Sequence, residues 1–270
     1  MSEMQAQKAK RNRGIYLLPN LFTTAALFSG FYAVLAAMNG KFEHAAIAIF
    51  VAMIMDGLDG RVARMTNTQT AFGAEYDSLS DMVAFGLAPA LVMYEWSLHS
   101  LGKLGWMAAF VYTVAAALRL ARFNTQVGTA DKRYFQGLPS PAAAAILAAS
   151  VWVAVDHEIA GTDLSIIACI FTITAGLLMV SNIRYYSFKE IDFKGKVPFI
   201  VVVAVALGFS VVTVQPALVL FLIFFFYALS GFVMTLVYLK RRKAERLVAA
   251  QRESTANESK TEDSTDNQPG

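Results

Sequence analysis

Residues 55–86 read MDGLDGRVARMTNTQTAFGAEYDSLSDMVAFG. The stretch sits between apolar runs long enough to enter a bilayer, yet it carries Asp56, Asp59, Arg61, Arg64, Glu75, Asp77 and Asp81. An Asp at the centre of a membrane helix costs roughly 2.5–3.5 kcal/mol on insertion scales, whereas a Leu or Ile returns only about 0.3–0.6. Four uncompensated acids would erase much of the insertion drive of two spans, so something cationic must accompany them. Asp56 and Asp59 are three residues apart and Asp77 and Asp81 four, so on helices each pair shares a face. Antiparallel neighbours joined by a short turn around TNTQTAFGA would bring the two pairs together. Arg61 and Arg64 offset part of the charge, but two pairs of carboxylates more naturally form an oxygen-lined site for one or two divalent ions, with Mg2+ or Mn2+ suited to such ligands.

The rest of the chain explains why the setting is a membrane. Of 270 residues, 56% are hydrophobic and only 16% charged, a balance expected of an integral membrane protein. On the ruler of about twenty apolar residues per helical span, about eight spans are expected, at 16–38, 44–66, 77–97, 104–125, 141–156, 163–181, 197–214 and 217–239. The expected fold is an all-α polytopic transmembrane helix bundle. With the N-terminus in the cytoplasm, every Lys and Arg except Lys41 and Lys103 falls on the cytoplasmic side, which favours an even number of spans with both termini inside. The first run follows the basic segment QKAKRNRG and is too long for a signal-peptide core, so it is expected to remain as an anchor.

A single cysteine, Cys169, excludes an intramolecular disulfide framework. His44, His99 and His157 are too scattered to suggest a histidine metal site. The charge pattern calls for no nucleic-acid partner. From residue 240 the chain turns polar and Ser/Thr/Glu-rich, as a largely disordered cytoplasmic tail does.

Small residues around the acids point to a phosphate-bearing substrate. Gly60 and Ala63, one turn apart, let a bulky group approach the second helix, and Arg64 can fork onto a phosphate. Gly73 would permit a sharp turn into the third span. As a pattern the stretch is D-x2-D-G-x2-A-R-x8-G-x3-D-x3-D, with Asp56, Asp59, Gly60, Ala63, Arg64, Gly73, Asp77 and Asp81 at the fixed positions. This resembles the signature of the CDP-alcohol phosphatidyltransferase family at every fixed position. The resemblance implies a six-helix catalytic core, two divalent cations, and transfer of a phosphatidyl group from a CDP-linked lipid to an alcohol with release of CMP. It further implies Asp56, Asp59 and Asp77 as metal ligands, Asp81 as a metal-side residue and the general base, and Gly60, Ala63, Arg64 and Gly73 as the lining of the CDP pocket. Arg61 and Glu75 lie outside the pattern.

Beyond the signature, PNLFT at 19–23, SLSDMVAFGLAPA at 78–90, RLARFN at 119–124, GLPSPAAA at 137–144 and LMVSNIRYYSFK at 178–189 resemble the bacterial phosphatidylserine synthase branch of that family. One departure is Tyr186, where the branch leads one to expect proline. The branch implies CDP-diacylglycerol and L-serine as substrates, a homodimer among membrane lipids, and a bacterial inner membrane with the active site facing the cytoplasm. A serine carboxylate calls for a cationic fork, which Arg119 and Arg122 could provide, although both could equally be positive-inside anchors. Arg184 and Lys189 could meet phosphate or anionic lipid, or snorkel. Asn20 and Thr23, one turn apart, could hydrogen-bond cytosine or ribose, with helix capping by Asn20 the competing role.

The expected organisation is a basic N-terminus at 1–14, a catalytic core at 15–196, two additional spans at 197–239 and the tail at 240–270. The alternatives keep the chemistry with glycerol 3-phosphate, inositol phosphate or choline as acceptor or, more distantly, make the acids the cation site of an ion-coupled transporter. A phosphorylated acceptor would need a larger basic cluster and choline an aromatic cage. Gly60, Ala63, Arg64 and Gly73 at fixed spacing have no role in a transporter.

Overall fold

The computed structural model describes residues 3–125, 134–186 and 213–235. Helices occupy seven of the eight stretches expected as spans, while 197–212 of the seventh, 236–239 of the eighth, Lys189 and the tail lie outside the described residues. Helix α1 runs Glu3–Met38, α2 Phe42–Thr66, α3 Ala71–Asp81, α4 Ala88–Trp96, α5 Lys103–Thr125, α6 Ser140–Asp156 and α7 Ser165–Val180. A further apolar helix, α8, covers Pro216–Thr235.

Four segments are long and apolar enough to cross a membrane: Leu17–Met38, Lys103–Thr125, Gly161–Val180 and Pro216–Thr235. At 1.5 Å per residue the first spans about 33 Å, close to the hydrocarbon thickness. Helix α2 is as long but carries Asp56, Asp59, Arg61 and Arg64 in its second half. Large apolar side chains such as Phe28, Phe31, Phe110, Ile166, Ile170 and Phe226 point outward, as they do toward lipid.

The interior is built from small residues, which let helix backbones approach closely where no hydrophobic drive separates protein from lipid. Ala33, Ala36 and Ala37 of α1 meet Ala45, Ala46 and Ala52 of α2, and α6 buries Ala142 through Ala145, Ala148 and Ala149. Gly30 allows a close approach of α1 to the segment after α3, since a Cβ there would lie 2.7 Å from the Ala84 Cα.

Helices α3 and α4 form one continuous rod through a π-helical turn at Met82–Leu87. Its cause is legible in Pro89, which has no N–H for the Phe85 carbonyl four residues earlier. That buried carbonyl instead accepts from the Tyr112 hydroxyl of α5 at 3.0 Å. The wide turn follows immediately on Asp81, so the backbone carrying the acids is fixed by α5 as well as α1.

The α2–α3 turn differs from the sequence expectation. Gly73 is an ordinary helical residue whose N–H donates to the Oγ1 of Thr70, the N-cap of α3, at 3.0 Å. The left-handed residue that reverses the chain is Asn67, at φ 53°. Asn tolerates that region better than other non-glycine residues because its short amide can bond locally.

Among the described residues a short antiparallel ribbon joins β1 (Tyr134–Gln136) and β2 (Arg184–Tyr186), with Phe135 opposite Tyr185. It ties the α5–α6 connection to the segment after α7. Gly137, at φ +79°, donates its N–H to the Ile183 carbonyl at 2.8 Å and carries the chain from the ribbon toward α6.

Candidate functional site

One end of the bundle collects the C-terminal ends of α2, α5 and α7, the N-terminal ends of α3 and α6, and the ribbon. The two aspartate pairs meet there, because α2 and α3, joined by a short turn, both pack against α1. Asp56, Asp59 and Asp77 each offer a carboxylate oxygen, and these oxygens lie within 4.8 Å of one another. Asp59 is 5% exposed and accepts a 2.7 Å hydrogen bond from Thr23 Oγ1 of α1. The Ser80 hydroxyl donates to the Thr23 carbonyl at 3.0 Å, so α1 braces both acid-bearing helices.

Asp81 stands outside the three-oxygen cluster. It lies against Asp56, near Asp77, and within electrostatic range of Arg119. The sequence pairs thus separate into a trio and a fourth acid set against Asp56.

The trio fits a hard divalent cation. Its donors are all carboxylate oxygens with no thiolate or imidazole, and oxygens 2.0–2.6 Å from a common ion lie roughly 3–5 Å apart. Arg64, which acts on Asp59 electrostatically, offsets part of the charge from the α2 side.

The residues expected to line a nucleotide pocket sit on the same hairpin. Gly60 faces the Arg64 guanidinium, with 3.7 Å between a Cβ at Gly60 and Arg64 Nη1. Arg64 is exposed, Ala63 is half-buried, and the Asn20 Oδ1 lies 3.5 Å from where a Gly73 Cβ would be. Asn20 is mid-helix in α1, so the capping role does not apply to it. Thr23 is engaged with Asp59 and, at 3.2 Å, with the Pro19 carbonyl.

The expected arginine fork divides. Arg119 is largely buried, its Nη1 donates to Ser140 Oγ at 2.5 Å, and it lies within electrostatic range of Asp81, Tyr112, Tyr227 and Asp56. Arg122 instead donates from Nη1 to the Val180 carbonyl at 3.1 Å and to Asn182 Oδ1 at 3.5 Å, closing the C-terminal end of α7. The two arginines share a face of α5 by spacing, yet a hydroxyl of α6 claims one and the C-terminal end of α7 claims the other. Arg184 lies in β2 opposite Gln136.

Several contacts were not anticipated. Asn124 Nδ2 donates to Ser78 Oγ at 3.0 Å, linking α5 to α3 beside the acids. Thr24 Oγ1 and Tyr76 Oη are 2.9 Å apart between α1 and α3. Ser140 lies within the quoted GLPSPAAA segment, but no local pattern marks it as the partner of an arginine 21 positions earlier.

A family model described as CDP-alcohol phosphatidyltransferase matches residues 16–180. The chain is 38% identical over 195 residues to the CDP-diacylglycerol–serine O-phosphatidyltransferase of Helicobacter pylori (strain ATCC 700392 / 26695), covering 72% of this chain and 82% of that one. It is 36% identical over 186 residues to the protein of the same description from Methanocaldococcus jannaschii, covering 68% and 82%. With that of Bacillus subtilis (strain 168) it shares 30% over 173 residues, covering 64% and 92%. The matched span contains both aspartate pairs and the helices that bring them together, and the chain belongs to the CDP-alcohol phosphatidyltransferase family.

Proposed function

We propose that the protein transfers the phosphatidyl group of CDP-diacylglycerol to the hydroxyl of L-serine, giving phosphatidylserine and CMP. The observation that carries this reading is the meeting of Asp56, Asp59 and Asp77 at one point, with Asp81 against Asp56. Names of relatives supply the acceptor: those from Helicobacter pylori, Methanocaldococcus jannaschii and Bacillus subtilis are serine O-phosphatidyltransferases.

In this reading Asp56, Asp59 and Asp77, with Asp81 at the edge, hold two divalent cations, Mg2+ or Mn2+. Bound there, the ions would neutralise the diphosphate and the developing charge on the leaving CMP. Arg64 reaches the diphosphate from the end of α2, and Gly60, Ala63, Gly73 and Asn20 leave room for the nucleotide. Thr23 orients Asp59. Arg119 takes the serine carboxylate, and Asp81 accepts the serine hydroxyl proton. The new bond joins the serine oxygen to the β-phosphorus, and the bond from that phosphorus to the bridging oxygen breaks, the oxygen departing with CMP. Arg184 and Lys189 are assigned to phosphate or lipid headgroups. The site faces the cytoplasm of a bacterial inner membrane, with both termini on that side, and the protein is a homodimer.

The test is CMP release by purified protein in detergent with CDP-diacylglycerol and Mg2+ or Mn2+, comparing L-serine with glycerol 3-phosphate, inositol phosphate and choline. Release with serine alone is expected; release only with another acceptor refutes the assignment of Arg119 to a serine carboxylate. Asp81→Asn should abolish turnover while sparing most affinity for the CDP-lipid, and near-wild-type turnover would remove Asp81 as the base.

A further inference from the structure

Asp77 and Asp81 belong to a rod whose two halves are out of phase. In the π-helical turn Met82–Leu87 the closing bond runs from the Ala88 N–H to the Val83 carbonyl, five residues back rather than four. Such a turn holds one residue more than an α-turn, which at about 100° per residue offsets the face of α3 from that of α4 by about that angle. The azimuth of α4 is fixed by packing, since Ala90, Val92, Met93 and Trp96 are buried. Asp77 and Asp81 therefore point at Asp56 and Asp59 only while the turn keeps its extra residue.

The turn is seated from two sides. Toward α1 it has Gly30, where a Cβ would lie 2.7 Å from the Ala84 Cα, and toward α5 it offers Gly86, where a Cβ would lie 3.1 Å from the Ala116 Cβ. These contacts are steric and select no hydrogen-bond register. The polar tie is Tyr112 of α5, which is fully buried and donates its hydroxyl proton to the Phe85 carbonyl at 3.0 Å. Pro89, four residues after Phe85, has no N–H for that carbonyl. Thr113 reaches the Gly86 carbonyl only at 3.5 Å and makes its shorter bond, 3.0 Å, to Ala109 of its own helix. Tyr112 thus makes the firmer of the two side-chain bonds from α5 to this backbone.

We propose that Tyr112 is a positioning residue for the aspartate site, locking the π-helical turn in register so that α3 presents Asp77 and Asp81 to Asp56 and Asp59. It acts through backbone, from a helix that carries none of the four acids. Tyr112 holds this role only if those acids bind cations as proposed for the function.

The experiment compares wild type, Tyr112→Phe, Thr113→Val and the double variant Tyr112→Phe/Pro89→Ala, as full chains in detergent. Three quantities are read: the thermal transition without metal, Mn2+ binding by electron paramagnetic resonance without substrate, and kcat for CMP release with CDP-diacylglycerol and L-serine at saturating Mn2+. Tyr112→Phe leaves the buried Phe85 carbonyl without its donor, so the thermal transition should come earlier. Mn2+ binding should weaken roughly tenfold, as when the support of a metal ligand is lost. The kcat should fall by up to about 100-fold, the cost of misplacing a reacting group by about 1 Å. Thr113→Val should behave as wild type.

Pro89→Ala supplies an N–H that can bond the Phe85 carbonyl in a continuous α-helix. Added to Tyr112→Phe, it should raise the thermal transition again while Mn2+ affinity and kcat stay low, because the rod regains a bond by giving up its extra residue. A purely structural tyrosine predicts instead that stability and function recover together. That joint recovery overturns the proposal, as do wild-type Mn2+ affinity and kcat in Tyr112→Phe. If Tyr112→Phe does not fold, the double variant carries the same test, and wild-type Mn2+ affinity in it overturns the proposal. Wild-type protein that binds Mn2+ but releases no CMP with serine overturns the serine reading alone, since Mn2+ binding still decides the role of Tyr112. Wild-type protein that binds no Mn2+ overturns both.

Discussion

Replacing Thr23 by Val removes one hydroxyl and nearly preserves shape. The hydroxyl has one proton and two acceptors in reach, Asp59 Oδ2 at 2.7 Å and the Pro19 carbonyl at 3.2 Å. The shorter, charge-assisted bond takes the larger share. Bonds to charged groups contribute about 1.5–3 kcal/mol, and every 1.4 kcal/mol is tenfold in an equilibrium constant, so Thr23→Val should weaken cation binding at Asp59 by about 10–100-fold. The same range is typical when an outer partner of a metal ligand is removed. The assay is Mn2+ titration, read both as CMP release and as Mn2+ binding by electron paramagnetic resonance without substrate. At saturating Mn2+ the KM for CDP-diacylglycerol should stay near wild type, since Thr23 serves the carboxylate in this reading. A half-saturating Mn2+ concentration within twofold of wild type would refute the orienting role. A raised CDP-diacylglycerol KM at saturating Mn2+ would return Thr23 to the nucleotide.

Three further outcomes follow from particular contacts. Gly30→Val would press a Cβ to 2.7 Å from the Ala84 Cα, a backbone atom that cannot swing aside, and should lower stability by about 1–3 kcal/mol, read as an earlier thermal transition in detergent; an unchanged transition would show that α1 and the π-helical turn are less tightly seated. Arg122→Ala should lower thermal stability through the lost bond to the Val180 carbonyl while leaving the serine KM unchanged, and a raised serine KM would restore the two-arginine fork. Burial, with a smaller contribution from Tyr227, pushes the Tyr185 hydroxyl up from 10.0 to about 12. The folded state therefore binds this proton more tightly than the unfolded chain. The stabilisation is complete below pH 10 and lost as pH rises through about 12, so alkaline unfolding should carry a step that Tyr185→Phe removes. Identical alkaline unfolding curves for the two proteins would refute that assignment.

Much of this protein follows from local pattern. Apolar runs of span length, the basic bias of the connections and the four aspartates at fixed spacing are properties of the chain read in order. They establish a membrane bundle and where its acids lie, because insertion energetics act on each segment separately. Even the π-helical turn has a local cause in Pro89, although the Tyr112 hydroxyl that satisfies the freed carbonyl comes from another helix.

The division of labour among those residues is a matter of packing. Asp56, Asp59 and Asp77 group together while Asp81 lies against Asp56 at their edge, since the relative rotation of two helices is set by what packs behind them. Arg119 and Arg122 look equivalent by type and spacing, but α6 offers one a hydroxyl and α7 offers the other a carbonyl. Asn67 rather than Gly73 reverses the chain after α2, because left-handed backbone is open to both residue types and only the hairpin geometry selects between them. Thr23 gains its role from a contact made 36 positions away. Such contacts leave no periodic trace in a sequence, because hydrophobic period reports which face is buried and says nothing of which polar group waits on the neighbouring helix.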